Sequence, residues 1–128
     1  MNKPLSAGIE NWLQLETSKK SGCYKLEFSE HHLGNTFIRS LHGGVSGSLI
    51  EVCAEKEVRA ALGDDDASVS IITCSIDYLR ITRDTDLFAQ VEIKRISRRM
   101  AVVHVTCWQD DENAPVVQGV VTLKINRA

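Results

Sequence analysis

Residues 43–62 read as one helix with apolar side chains on more than one face, and no other feature of the chain restricts the fold so much. Val45, Leu49, Ile50, Val52, Cys53, Ala54, Val58, Ala61 and Leu62 cover too wide an arc for a helix resting on a surface, so other structure must enclose it. The segment stops at Gly63-Asp64-Asp65-Asp66, a glycine stop followed by turn formers. At 1.5 Å per residue such a helix is about 27 to 30 Å long.

The chain beyond this helix is strand-like throughout. Residues 69–81, 86–96, 100–109 and 116–125 are rich in Val, Ile and Thr and are separated by short polar turns. In the second of these, Leu87, Ala89, Val91 and Ile93 alternate with Phe88, Gln90, Glu92 and Lys94. The last sets Val117, Val121, Leu123 and Ile125 against Gln118, Thr122 and Lys124. That period of two gives each strand one apolar face, and the short connections favour antiparallel neighbours. Ahead of the long helix the pattern predicts a short helix over residues 9–15, a strand over 23–28 and a loop over 29–41. One strand, a long apolar helix and then four strands is an α+β order. The economical solution is a curved antiparallel sheet wrapped around the helix.

At 128 residues the chain is most simply one domain spanning residues 1–128, and a deep active site would draw on a second subunit. With 43% hydrophobic and 25% charged residues it suits a packed core. A net charge of −2 offers no overall attraction to nucleic acid or to an anionic membrane. The first ten residues lack an apolar run behind a basic start and no later stretch is long enough to span a bilayer, so the expectation is a soluble cytoplasmic protein. Cys23, Cys53, Cys74 and Cys107 form no C-x-x-C pair and read as buried, reduced thiols.

The chemistry concentrates where the helix begins. His42-Gly43-Gly44 leads into it, and Glu51 stands nine positions after the histidine. The first N–H groups of a helix have no intrahelical acceptor and sit at the positive end of the macrodipole, so they suit a developing oxyanion, and glycine lets a substrate approach the backbone closely. Glu51 is the candidate general base or nucleophile; Glu55 can instead pair with Arg59 at i+4. Its neighbours Leu49, Ile50, Val52 and Cys53 predict partial burial. His42 either donates to the substrate oxygen or holds the loop that aims Gly43. His31, His32 and His104 show no metal-ligand spacing and read as structural or surface residues; no metal is expected. Gly44-Val45-Ser46-Gly47-Ser48 fails as a nucleophile elbow, because Ser48 stands where the final glycine belongs, and it lacks the lysine of a phosphate-binding loop.

The order of elements, His42-Gly43-Gly44 through Glu51, Ile76-Asp77-Tyr78-Leu79-Arg80, residues 91–98 as a variant of a V-x-R-x-G-R turn, and Gln118-Gly119-Val120-Val121-Thr122 resemble the hotdog-fold acyl-CoA thioesterases of the phenylacetic-acid-degradation type. The resemblance covers nearly the whole chain. It implies a homodimer, often paired into a homotetramer, with active sites at the subunit interface and CoA bound only as part of the substrate. By position, Gly43 would offer its N–H to the thioester carbonyl while Glu51 comes from the facing subunit, with Gly44 beside the substrate. Relatives commonly carry Asn or Gln six positions before the histidine, where Thr36 stands here with Asn35 adjacent. They carry glycine where Arg39 stands, and Ser or Thr where Glu55 stands. Arg39 is therefore a candidate for meeting an acidic acyl group or a CoA phosphate. Arg80 at one turn, and Lys94, Arg95, Arg98 and Arg99 at another, are the basic residues that could take CoA phosphates. The alternative function is a non-catalytic acyl-CoA binding or regulatory hotdog protein. A hotdog dehydratase or hydratase is disfavoured by the absence of a D-x-N-P-x-H run.

Overall fold

The structure is a computed structural model that describes residues 7–13, 15–17, 22–35, 37 and 39–127; Thr36 lies outside the described residues, as does the side chain of Asn35. The elements in chain order are α1 (Ala7–Leu13), β1 (Leu15–Thr17), β2 (Cys23–Leu26), β3 (Leu33–Asn35), β4 (Ser40–Leu41), α2 (Gly43–Leu62), β5 (Ser68–Tyr78), β6 (Leu87–Ile96), β7 (Met100–Trp108) and β8 (Val117–Asn126). One six-stranded sheet has the spatial order β1-β2-β6-β7-β8-β5, with every neighbour antiparallel, and β3 with β4 forms a separate ribbon.

Helix α2 lies against β5, β6, β7 and β8, as its broad apolar arc requires. Leu49, Ile50, Cys53, Ala54 and Val58 are wholly enclosed against Ala89, Val103, Val105, Val121 and Leu123. Each fully buried Leu, Ile or Val contributes roughly 1.5–3 kcal/mol by leaving water. The arc narrows toward the C-terminal end, where Ala61 is exposed and Leu62 only half-buried. The helix stops at Gly63, whose φ of 58° is left-handed and whose N–H donates to the Arg59 carbonyl.

Helix and sheet pack tightly at Gly119, where an added Cβ would lie 2.9 Å from Ile50 Cγ2. The spacing of the two layers therefore depends on a missing side chain.

The expected strands are all present, with ends set by details that a period-two pattern does not carry. The strand expected over 69–81 ends at Tyr78, because the N–H groups of Leu79 and Arg80 both turn to the Val116 carbonyl, at 2.8 and 3.1 Å. The alternation in β6 holds through Leu87, Ala89 and Val91, and a bulge then separates Ile93 from Arg95. Helix α1 ends at Leu13 rather than residue 15, since Leu15 already pairs with Leu26 in the sheet. The loop expected over 29–41 contains a 3-10 turn (Glu30–His32), β3 and β4. All four cysteines are free thiols, but only Cys53 and Cys107 are buried; Cys23 and Cys74 are half-buried. Burial pushes the Cys107 thiol up to about 12. No described helix is long and apolar enough to cross a membrane.

Gly119→Ala should cost about 1–3 kcal/mol, since the β-branched, fully buried Ile50 has little room to yield. Denaturant unfolding of the two proteins measures it; an unchanged midpoint would show that the layers are not in register-limiting contact there.

Candidate active site

The start of α2 is pinned from several sides. Leu41 is buried, its N–H donates to the Thr82 carbonyl at 3.3 Å, and the His42 N–H donates to the His32 carbonyl at 2.8 Å. Gly34 lets β3 pass close to this point, since a Cβ there would lie 2.9 Å from His42 Cα. His42 is the N-cap: its Nδ1 accepts the Gly44 N–H at 2.9 Å, and its carbonyl accepts the Val45 N–H at 2.9 Å. With Nδ1 accepting, the proton of the neutral imidazole belongs on Nε2. Among the described residues nothing in the chain accepts the Gly43 N–H, the first donor of the helix.

Two clefts flank this start and divide the sequence motif between them. Gly43 lines a cleft of about 410 Å³ with Leu41, Ser46, Tyr78, Arg80 and Ile81. His42 and Gly44 line another of about 530 Å³ with Ile9, Trp12, Leu33 and Val45. The hydroxyl of Tyr78 donates to the Gly43 carbonyl at 2.9 Å, fastening the end of β5 to the first turn of α2. Ser46 is buried in that turn.

Glu51 is exposed in the single chain, so the partial burial expected from its apolar neighbours is not provided by its own fold. Eight residues of helix place it about 12 Å along the axis from Gly43, too far for both to act on one carbonyl. Gly43, Gly47 and Glu51 nevertheless fall in one row at i, i+4 and i+8. This row runs beside β5: Gly43 and Gly47 face Tyr78 and Ile76, and the Glu51 charge adds to burial in pushing the Cys74 thiol up. Glu55 pairs with Arg59 at 3.0 Å, leaving Glu51 as the open carboxylate of the pair.

The basic residues distribute unevenly. Arg80 stands in the cleft with Gly43. Arg98 and Arg99 occupy the β6–β7 turn, where they join Lys124 and Arg127 around a cavity of about 320 Å³; Arg95 is exposed on β6. In one chain this cluster is remote from Gly43. Met100 pairs with Lys124, which pairs with Ser70, eight residues up β5 from Tyr78 and so about 26 Å away. Arg39 adopts a left-handed φ of 50°, a backbone conformation that glycine enters without the steric cost a side chain brings. Its guanidinium is held by Asp84 at 2.6 Å and Glu30 at 2.8 Å. His31 and His32 both reach the Trp12 carbonyl, at 2.6 and 3.0 Å, a structural use of the two rings; no metal-binding group occurs among the described residues.

The profile of the acyl-CoA thioesterase N-terminal domain family matches residues 34–124, from β3 into β8. The chain belongs to that family. Solved structures agree on the fold: a thioesterase from Haemophilus influenzae superposes with a TM-score of 0.82 at 19% identity, over 96% of this chain and 86% of the other. A Bacillus halodurans protein crystallised with CoA gives 0.80 at 19%, over 92% and 75%. A phenylacetic acid degradation-related protein from Ralstonia eutropha JMP134 gives 0.80 at 19%, over 95% and 92%. No curated protein matches the chain by sequence. The α+β architecture is thus the hotdog fold of the thioesterases, as the His42 to Glu51 motif implied.

In this thioesterase-family chain, two features of the site are invisible to sequence reasoning: the part played by Tyr78 and the carboxylates that hold Arg39. A tyrosine at a strand end is the available signal for the first, since its hydroxyl seeks a partner wherever its ring packs. The Arg39 hydrogen bond holds the Asp84 carboxyl below the usual aspartate range. A depressed acid adds stability that is present above the unfolded value near 3.9 and is lost as pH falls through the folded one. Carboxyl NMR titration should find Asp84 low, and returned to the ordinary range in Arg39→Gly, which keeps the left-handed turn. An unmoved Asp84 would mean that Arg39 is not its partner in solution.

Proposed function

We propose that this chain is an acyl-CoA thioesterase in which the Gly43 N–H receives the thioester oxygen and Glu51 of the partner subunit activates the attack. One observation supports this most directly. The Gly43 N–H and the Glu51 carboxylate, neither with a partner among the described residues, share one row of α2 beside the edge of β5 that no described strand pairs. An eleven-residue strand with one free edge is a template for a second copy.

Antiparallel pairing of two β5 edges about a two-fold axis sets the two α2 helices antiparallel. The midpoint between Gly43 and Glu51 is Gly47, so an axis near that level sets Gly43 of one chain against Glu51 of the partner subunit. The same rotation carries the partner's basic β6–β7 turn toward the Gly43 end, because α2 and β5 run in opposite directions: Tyr78 meets Gly43, and the Arg59 guanidinium reaches the Val69 carbonyl. One operation thus brings oxyanion donor, carboxylate and phosphate-binding arginines together. The assembly is a homodimer, or two such dimers joined.

In the reaction a water oxygen bonds to the carbonyl carbon while Glu51 takes its proton. The carbonyl oxygen gains negative charge against the Gly43 N–H, and as the C=O bond re-forms the C–S bond breaks, the leaving thiolate taking the proton held by Glu51 to give the acid and the CoA thiol. Direct attack by the Glu51 carboxylate would pass through an anhydride that water cleaves to the same products. Gly44 gives the substrate close access to the backbone. Arg80 and the partner's Arg95, Arg98 and Arg99 meet the CoA phosphates. Arg39, bound to two carboxylates, holds its loop.

Gly43→Pro removes the donor at a position where proline suits a helix, and His42, at ψ 136°, already has the conformation that precedes proline. Thiol release from a panel of aromatic, short and medium acyl-CoAs should fall about 10² to 10³-fold in this variant with unchanged melting. For Glu51→Gln the loss should be about 10² to 10⁴-fold. Co-expressing the two variants should restore about a quarter of the sites, since each mixed dimer carries one intact pair. Wild-type rates in either variant would sink the assignment, and binding without thiol release would instead identify a non-catalytic acyl-CoA binding protein.

A further inference from the structure

Two successive glycines give the backbone its widest freedom at the point where an oxyanion donor must be most tightly aimed. Something must remove that freedom. The peptide plane between Gly43 and Gly44 is gripped on both edges: its carbonyl accepts the Tyr78 hydroxyl at 2.9 Å, and its N–H donates to His42 Nδ1 at 2.9 Å. The preceding plane, between His42 and Gly43, is held by its carbonyl, which accepts the Val45 N–H at 2.9 Å. With both planes fixed, the φ and ψ of Gly43 between them are fixed too. The remaining hydrogen-bonding group of the two planes is the Gly43 N–H, which has no acceptor among the described residues.

We propose that Tyr78 is a positioning residue of the oxyanion site: its hydroxyl and the His42 ring clamp the Gly43–Gly44 peptide and so aim the Gly43 N–H into the cleft. This rests on the reading of Gly43 as the donor to the thioester oxygen.

Packing does not explain the tyrosine. In the single chain the residue is 57% exposed, and the hydroxyl is its anchored end. The hydroxyl rests against the first turn of α2, where Gly43 and Gly47 face it: a Cβ on either would meet it only in ordinary contact, at 3.5 and 3.9 Å. The Cα is fixed as well, because Tyr78 pairs with Val117 and the next two N–H groups close onto Val116. The two jaws also reinforce each other. A hydrogen bond accepted by an amide carbonyl polarises the amide and strengthens the bond its N–H donates, so the Tyr78 contact tightens the one to His42. His42 on this account acts through Gly44 and leaves the substrate oxygen to Gly43.

Tyr78→Phe removes the hydroxyl and keeps the ring. In protein labelled with [¹⁵N]glycine, the Gly44 amide should exchange with solvent about tenfold faster in the variant, and the Gly43 resonance should shift, while Gly119 stays protected. On a hydrolysed acyl-CoA, kcat should fall about tenfold with KM within about twofold. Tyr78→Phe combined with His42→Ala should lose much less than the product of the two single effects, as one clamp requires. A Gly44 amide that exchanges alike in wild type and Tyr78→Phe overturns the proposal, and so does independent addition of the two losses. Absence of thiol release from the wild-type protein would refute the thioesterase reading; the amide exchange would still decide the clamp. His42→Ala alone supplies a second measurement, since it opens the other edge of the same peptide and should also speed Gly44 exchange.

Discussion

Burial of α2 against β6, β7 and β8 is the constraint on which the other features depend. The enclosed side chains from Val45 to Val58 demand a sheet long enough to cover about four turns, and the antiparallel strands after the helix supply it. The chain order puts β5 at the margin of the sheet, so the row of the helix beside β5 lies at the sheet's edge. On that side the residues are Gly43, Gly47 and Glu51, two of which have no side chain to bury. The row is what remains once the enclosed side chains from Val45 to Val58 have been placed.

The proposed chemistry uses this remainder. A helix start offers an unpaired donor without any side chain, and its value depends on how firmly it is held. Here the supports come from distant parts of the chain: His32 and Thr82 hold residues 41 and 42, and Tyr78 holds residue 43. A carboxylate two turns along the same helix cannot reach that donor. In the proposed dimer, symmetry supplies one from the second copy, so that a donor and a base of two chains meet at one carbonyl.

Much of this architecture is legible in the sequence. The helix from Gly43 to Leu62 stands out because its apolar arc is wide and Gly63 ends it, and β6 and β8 because their alternation is regular. The short pieces between residues 29 and 41 do not, since a two- or three-residue strand carries no period. The end of β5 is equally hidden: Leu79 and Ile81 continue the apolar pattern, and only the Val116 carbonyl turns the chain away. For the proposed site, Gly43 and Glu51 are singled out in the sequence by their spacing. The hold on the intervening peptide is not, because Tyr78 lies 35 positions from Gly43 in sequence. The positive φ at Arg39 is likewise a property of backbone geometry that an arginine in the sequence conceals.

The separation of Arg98 and Arg99 from Gly43 has one more consequence. A thioester of CoA carries its reacting carbonyl and its phosphates at opposite ends of one long molecule. If its phosphates rest on the partner's turn while its carbonyl rests on Gly43, each bound molecule is also a tie between two chains. Ligand affinity and association are then linked by mass action, so the protein should hold together more tightly when it is supplied with substrate than when it is starved of it.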